Sequence, residues 1–162
     1  MLDRFERFSL SIFEITRHWH KITSEEMEKY GLKGTHCVYL LAMHQHPEGV
    51  TATQLGELCG RDKADVSRMV SIMEQKGLVT REGVAKNLYR GLLKLTEDGM
   101  AAAEFVCQRV KVAVELASKG LDDMRRKVFY DALDLISENL RSISAEGLPE
   151  NITVENYTKK GY

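Results

Sequence analysis

Residues 51 to 95 read TATQLGELCGRDKADVSRMVSIMEQKGLVTREGVAKNLYRGLLKL, and this stretch decides the fold. Thr51 can accept a hydrogen bond from an orphan amide of a helix's first turn. Leu55 and Leu58 then share one face of a short helix. Gly60 ends it, because glycine takes up the left-handed backbone of a helix C-terminus without steric cost, and Cys59-Gly60-Arg61 becomes a turn. Asp62 is placed to cap a second helix, with Asp65 at its third position able to reach back in the manner of a capping box. In that helix Val66, Met69, Val70 and Met73 recur at i, i+3, i+4 and i+7, a single buried stripe. The opposite face carries Ala64, Ser67, Arg68, Ser71 and Gln75. After Lys76-Gly77-Leu78-Val79 the pattern predicts two strands joined by an exposed basic tip, GVAKNLY.

Two short helices, a tight turn and a ribbon with a basic tip make a winged helix-turn-helix. Small and polar side chains with one arginine among them let a helix lie close in the major groove, where arginine holds guanine O6 and N7 with two bonds. The plainer alternative is a solvated face, since polar outer faces are the rule for amphipathic helices. Spacing favours the first: Gly56, Gly60 and Val66 supply the small residue, the turn glycine and the branched apolar residue at the positions a helix-turn-helix requires.

Beyond the motif, the order helix, KGLV, Arg81, basic wing, strand, LTEDG, long helix resembles the MarR family of bacterial transcriptional regulators. The similarity spans roughly residues 5 to 144, and its most diagnostic words are DVSRMV, EQKGLV and LKLTEDG. The resemblance implies a homodimeric regulator, expected to be a repressor, that binds double-stranded DNA at a pseudo-palindromic operator and is released by a small-molecule effector. On this chain the DNA-binding residues are then Lys63, Ala64, Asp65, Ser67, Arg68, Ser71 and Gln75 from the second helix, with Arg81, Lys86, Asn87 and Arg90 from the wing. One departure stands out. Wings of the family usually carry an Asp-Arg-Arg run, whereas this chain has Asn87-Leu88-Tyr89 followed by Arg90. Lys86 or Arg90 is expected to take over the minor-groove contact, with Asn87 on backbone or phosphate. Family effectors are commonly small phenolic or lipophilic molecules held between the dimer helices and the DNA-binding lobe. His18, Trp19, His36, Tyr39 and Met43 are the candidates to line such a pocket, and core packing is the competing reading of the same residues.

Composition agrees without deciding. A chain of 162 residues, 43% hydrophobic and 29% charged, suits one globular domain with its own core. The net charge is -1, but residues 61 to 90 carry seven basic against four acidic side chains, a local +3 that leaves -4 for the rest. The basic footprint therefore coincides with the motif. Cysteines at 37, 59 and 107 have neither zinc nor redox spacing, and their odd number makes a poor disulfide framework. A reducing cytoplasm is the expected setting. The N-terminal MLDRFERF is interrupted by charge too often for a signal peptide, no apolar run approaches the ~20 residues of a membrane span, and no membrane association is expected.

Other chemistries fare worse. No GxSxG, HExxH, Walker-type loop or dinucleotide fingerprint occurs, so an enzyme is not expected, nor is any cofactor. A metal-responsive regulator would draw on His18 or His20, Glu25 or Glu26, and His36; without a recognisable ligand spacing no metal site is assigned. A redox-responsive one would draw on Cys37 at a helix start, but its neighbours Val38, Leu40 and Leu41 make it a small core residue. A winged helix used only for protein contacts would lack Arg68, Arg81, Lys86 and Arg90.

Around the motif, Leu2, Phe5, Phe8, Ile12, Ile15, Trp19 and Ile22 mark a long first helix with one continuous apolar stripe that needs a partner. A glycine-bounded break at 31 to 34 precedes a helix opened by Thr35 and ended by Pro47-Glu48-Gly49, and Val50 is placed to extend the ribbon. Thr96 should cap a helix to about Ser118, and a last helix should run from Asp122 to about Ile143 with the stripe Val128, Phe129, Ala132, Leu135, Ile136, Leu140 and Ile143. The expected fold is thus mainly α, a winged helix-turn-helix (47–99) with a small antiparallel hairpin, flanked by dimerisation helices 1–30 and 100–144. Together these form one domain, 1–144, followed by a polar tail, 145–162, without helical period.

Overall fold

The computed structural model describes residues 3–83 and 91–150. Lys86, Asn87 and Arg90, with most of the expected tail, lie outside the described residues. In chain order the elements are α1 (Arg4–Glu28), a single 3-10 turn (Gly34–His36), α2 (Cys37–His44), α3 (Ala52–Cys59), α4 (Lys63–Gln75), β1 (Val79–Glu82), β2 (Leu92–Leu95), α5 (Glu97–Ala117) and α6 (Asp123–Glu146). The fold is mainly helical, as the periodicity predicts, with one antiparallel strand pair in the register Val79↔Leu95 to Glu82↔Leu92. Val50 joins the ribbon through a two-bond bridge to Leu93, donating at 3.0 Å and accepting at 2.7 Å.

The chain folds as two units, residues 1–117 and 118–162. In the first, apolar residues along α2, α3, α4 and α5, with Leu93 from β2, bury one shared core: Leu40, Met43, Leu55, Val66, Val70, Met73, Leu93 and Val106 are all fully enclosed. Burial on this scale removes ~1.5–3 kcal/mol of unfavourable hydration per large side chain. It outweighs the modest helix propensity of an eight-residue helix such as α3. Helix α2 begins at Cys37, with Thr35 inside the 3-10 turn before it rather than at the helix start. In that turn the His36 ring replaces a hydroxyl cap, its Nδ1 accepting from the Lys33 amide at 3.0 Å.

Charge also ties α1 to α5. The buried Glu26 carboxylate pairs with the ammonium of Lys29 and accepts from Arg109 Nε at 3.0 Å. The Lys29 bond, followed by the bond and charge of Arg109, holds its pKa below the usual carboxylate range against the opposing effect of burial.

The second unit is described from α6. Asp122 caps it, accepting from the Arg125 amide at 2.8 Å. None of its residues is buried: Met124 is 78% exposed, and Val128, Phe129, Leu135, Leu140 and Ile143 are exposed along the predicted stripe. The N-terminal half of α1 is similar, with Phe5, Phe8, Ile12, Phe13 and Ile15 open.

Candidate nucleic-acid interface

Helix α3 starts where Thr51 directs it. Thr51 Oγ1 accepts from the Gln54 amide at 3.2 Å, and Gln54 Oε1 accepts from the Thr51 amide at 2.9 Å, a full capping box whose second half the sequence reading did not anticipate. Gly60 (φ 61°, ψ 41°) is left-handed, as the turn requires. The chain then reverses into α4, whose N-cap Asp62 accepts from the Asp65 amide at 2.8 Å. Val66, Val70 and Met73 point into the core and Met69 is half-buried. Lys63, Ala64, Ser67, Arg68, Ser71 and Gln75 are exposed together on the outer face.

Asp65 departs from the expected capping box. Its carboxylate does not turn back to the Asp62 amide; Oδ2 instead accepts from the Tyr39 hydroxyl at 2.9 Å, and Oδ1 accepts from Arg68 at 3.4 Å. The Arg61 guanidinium lies 3.8 Å away. The reason is competition: a phenol from the buried α2 reaches the carboxylate, and a fixed phenolic donor with two cations outbids one amide. The Tyr39 bond, then Arg68 and Arg61, lower the Asp65 pKa. Burial, reinforced by the Asp65 carboxylate, raises that of Tyr39, which stays protonated as a donor.

On the ribbon, Arg81 is half-buried and its Nε donates to Glu74 near the end of α4 at 3.2 Å, while Lys94 pairs with Glu82 at 2.7 Å. Arg81 thus braces β1 against α4.

The residues considered for an effector pocket separate. His36, Tyr39 and Met43 are fully enclosed in the core, and His18 is exposed beside Arg17 on α1. Only Trp19 borders a cleft, of about 440 Å³, which it shares with His20, Val38, Leu41, Leu58 and Arg61. Sequence reading missed the last five because their convergence depends on how α1, α2 and α3 pack.

Burial pushes the Cys37 thiol up to about 11, and Cys59 also to about 11, so both are protonated and poorly nucleophilic at neutral pH. Glu26 is committed to Lys29 and Arg109, and among the described residues no three His, Cys, Asp or Glu side chains are grouped to hold a metal.

The MarR family model matches residues 30–87, which begin just after α1 and include α2, α3, α4 and β1. Solved structures extend the likeness. A MarR-family transcriptional regulator of Listeria monocytogenes, solved with a 26mer DNA, superposes with a TM-score of 0.77 at 21% identity, over 94% of this chain and 100% of that one. The chain has the MarR fold. A MarR transcriptional regulator of Methanosarcina mazei Go1 gives a TM-score of 0.74 at 20% identity over 85% of this chain and 99% of that one. The S. aureus MepR–DNA complex gives 0.73 at 16% over 82% and 97%. The family model thus covers DVSRMV and EQKGLV, while LKLTEDG lies beyond the matched residues, and the similar solved structures are those of transcriptional regulators. In that fold α4 stands as the second helix of the helix-turn-helix and β1–β2 as its ribbon. Among the described residues no helix is long and apolar enough to cross a membrane.

Proposed function

We propose that the protein is a cytoplasmic DNA-binding transcriptional regulator, a repressor that works as a homodimer on a pseudo-palindromic operator. The observation that carries this is the outer face of α4: Lys63, Ala64, Ser67, Arg68, Ser71 and Gln75 lie exposed together at the end of a helix-turn-helix, on a fold that two similar proteins use in complexes with DNA. Lys63, Ser67, Ser71 and Gln75 supply donors for phosphates or base edges, and Ala64 permits close approach. Lys86, Asn87 and Arg90 are assigned to the wing's backbone or minor-groove contacts, and Arg81 to bracing the wing.

The apolar stripes of α1 and α6 support the dimer. Exposed apolar rows of this length mark a protein contact, and a second copy of residues 1–30 and 100–144 is the partner we assign to them. Two recognition helices then require half-sites about one helical turn, or ~10 bp, apart. Selecting genomic fragments with the purified protein should enrich a pseudo-palindrome of that spacing. A stable monomer in light scattering at micromolar concentration, with no such enrichment, contradicts the proposal.

The cleft beside Trp19 is the place for an effector. Its apolar Val38, Leu41 and Leu58 with the cation of Arg61 suit a small phenolic or lipophilic molecule. An effector that lowers DNA affinity must, by linkage, bind more weakly when operator is present, by the same factor. Titrations of phenolics that bind should show this loss; equal affinity with and without operator removes the effector from the mechanism.

A further inference from the structure

A carboxylate on the first turn of a recognition helix is electrostatically misplaced. It would face the phosphates of any duplex laid against α4, and repulsion there costs affinity. Asp65 is nevertheless held in place from below: its side chain is only 24% exposed, and Oδ2 accepts at 2.9 Å from the hydroxyl of Tyr39, a residue enclosed in the core from α2. Its other oxygen faces outward to Arg68, and Arg61 flanks it from the turn between α3 and α4. With Arg61, Lys63 and Arg68 against Asp62 and Asp65, that corner of the interface keeps a net positive charge.

Arginine can donate to a carboxylate with one edge of its guanidinium and to guanine O6 and N7 with another. Left unsupported, the same side chain samples many rotamers and must be ordered on binding. We infer that Asp65 is a positioning residue for sequence reading, anchored by the Tyr39 hydroxyl and holding Arg68, with Arg61, in the orientation that meets a base edge, while touching no base itself. This rests on the reading of the protein as a DNA-binding regulator, and it assigns to the α2–α4 contact a part of the specificity. The carboxylate also opposes binding to any sequence that offers Arg68 no guanine, because there its charge is not offset by a base contact.

Tyr39→Phe tests the inference, since it keeps the buried ring, removes only the hydroxyl, and alters a group enclosed beneath the DNA-facing surface. Asp65→Asn is the second variant; it keeps the shape and the amide capped by Asp62. Affinities of the wild type and both variants are measured for the selected operator and for a scrambled duplex, with thermal unfolding recorded alongside. Tyr39→Phe should lower the operator-to-scrambled ratio about 5-fold or more, a share of the roughly 5- to 150-fold discrimination a bidentate arginine contact carries, and leave scrambled binding unchanged. Asp65→Asn should lower the ratio at least as far and tighten binding to scrambled DNA. If the wild type discriminates and neither variant changes the ratio, the inference fails alone. A ratio altered by Asp65→Asn but not by Tyr39→Phe overturns it in favour of a direct Asp65 contact with a base. A parallel loss on both duplexes together with lower thermal stability reduces the pair to a structural tether and also overturns it. A wild type with no preference for any fragment overturns the functional reading and this inference with it.

Discussion

Replacing Gly99 by alanine should destabilise the protein by about 3 kcal/mol or more, the upper end of what overpacking costs. A Cβ at this position would sit 1.9 Å from the Leu78 carbonyl oxygen, and backbone cannot swing aside as a side chain can. Nor can α5 slide away. Thr96 fixes its start, accepting from the Gly99 amide at 3.0 Å and donating to the Gly77 carbonyl at 2.7 Å, while the Thr96 amide donates to the same Leu78 oxygen at 3.0 Å. The helix propensity gained by alanine, ~1 kcal/mol, is too small to offset the clash. For a chain of this size the melting midpoint should fall by roughly 6–12 °C. Gly77→Ala is the control, because its Cβ would meet nothing within 4 Å and only the left-handed backbone (φ 71°) opposes it. A Gly99→Ala protein that melts within a degree of the wild type would show that α5 does not dock as described. The same junction sets β1 against the end of α4, so the variant should also weaken DNA binding.

That junction shows where the sequence is legible and where it is not. Thr51, Gly60, Asp62 and the 3.6-residue stripe of α4 act within a few residues of themselves, and each does in the structure what its chemistry predicts. LTEDG is visible as a string, but the reason for its glycine lies at Leu78, across the start of α5. Asp65 is the sharper case. From the sequence it is an N3 carboxylate next to its cap, and nothing local discloses a phenol 26 residues away. The Glu26 pairing with Arg109 spans 83 residues and was equally hidden. His36, Tyr39 and Met43 show the matching ambiguity: apolar or aromatic residues at helical spacing read alike whether they line a pocket or fill a core, and here they are enclosed. The stripes of α1 and α6 were readable as stripes, since periodicity names the face and not what covers it.

We propose that the exposed face of α4 reads sequence. Arg68 stands on it, away from the buried Val66, Val70 and Met73 and braced by Asp65, while no other arginine lies on that helix. Its truncation to alanine should cost about 1–3 kcal/mol on operator DNA and flatten the preference at one position of each half-site. Phosphate contacts behave otherwise, since they carry no sequence information. Lys86→Ala should therefore weaken all duplexes alike and reduce the salt slope by about one for the lost phosphate contact. The deciding measurement is the operator-to-scrambled affinity ratio of the wild type and of Arg68→Ala, each titrated at several salt concentrations. The ratio should fall roughly 5- to 150-fold in Arg68→Ala at every salt concentration. A ratio that Arg68→Ala leaves unchanged would mean that this face of α4 does not read DNA.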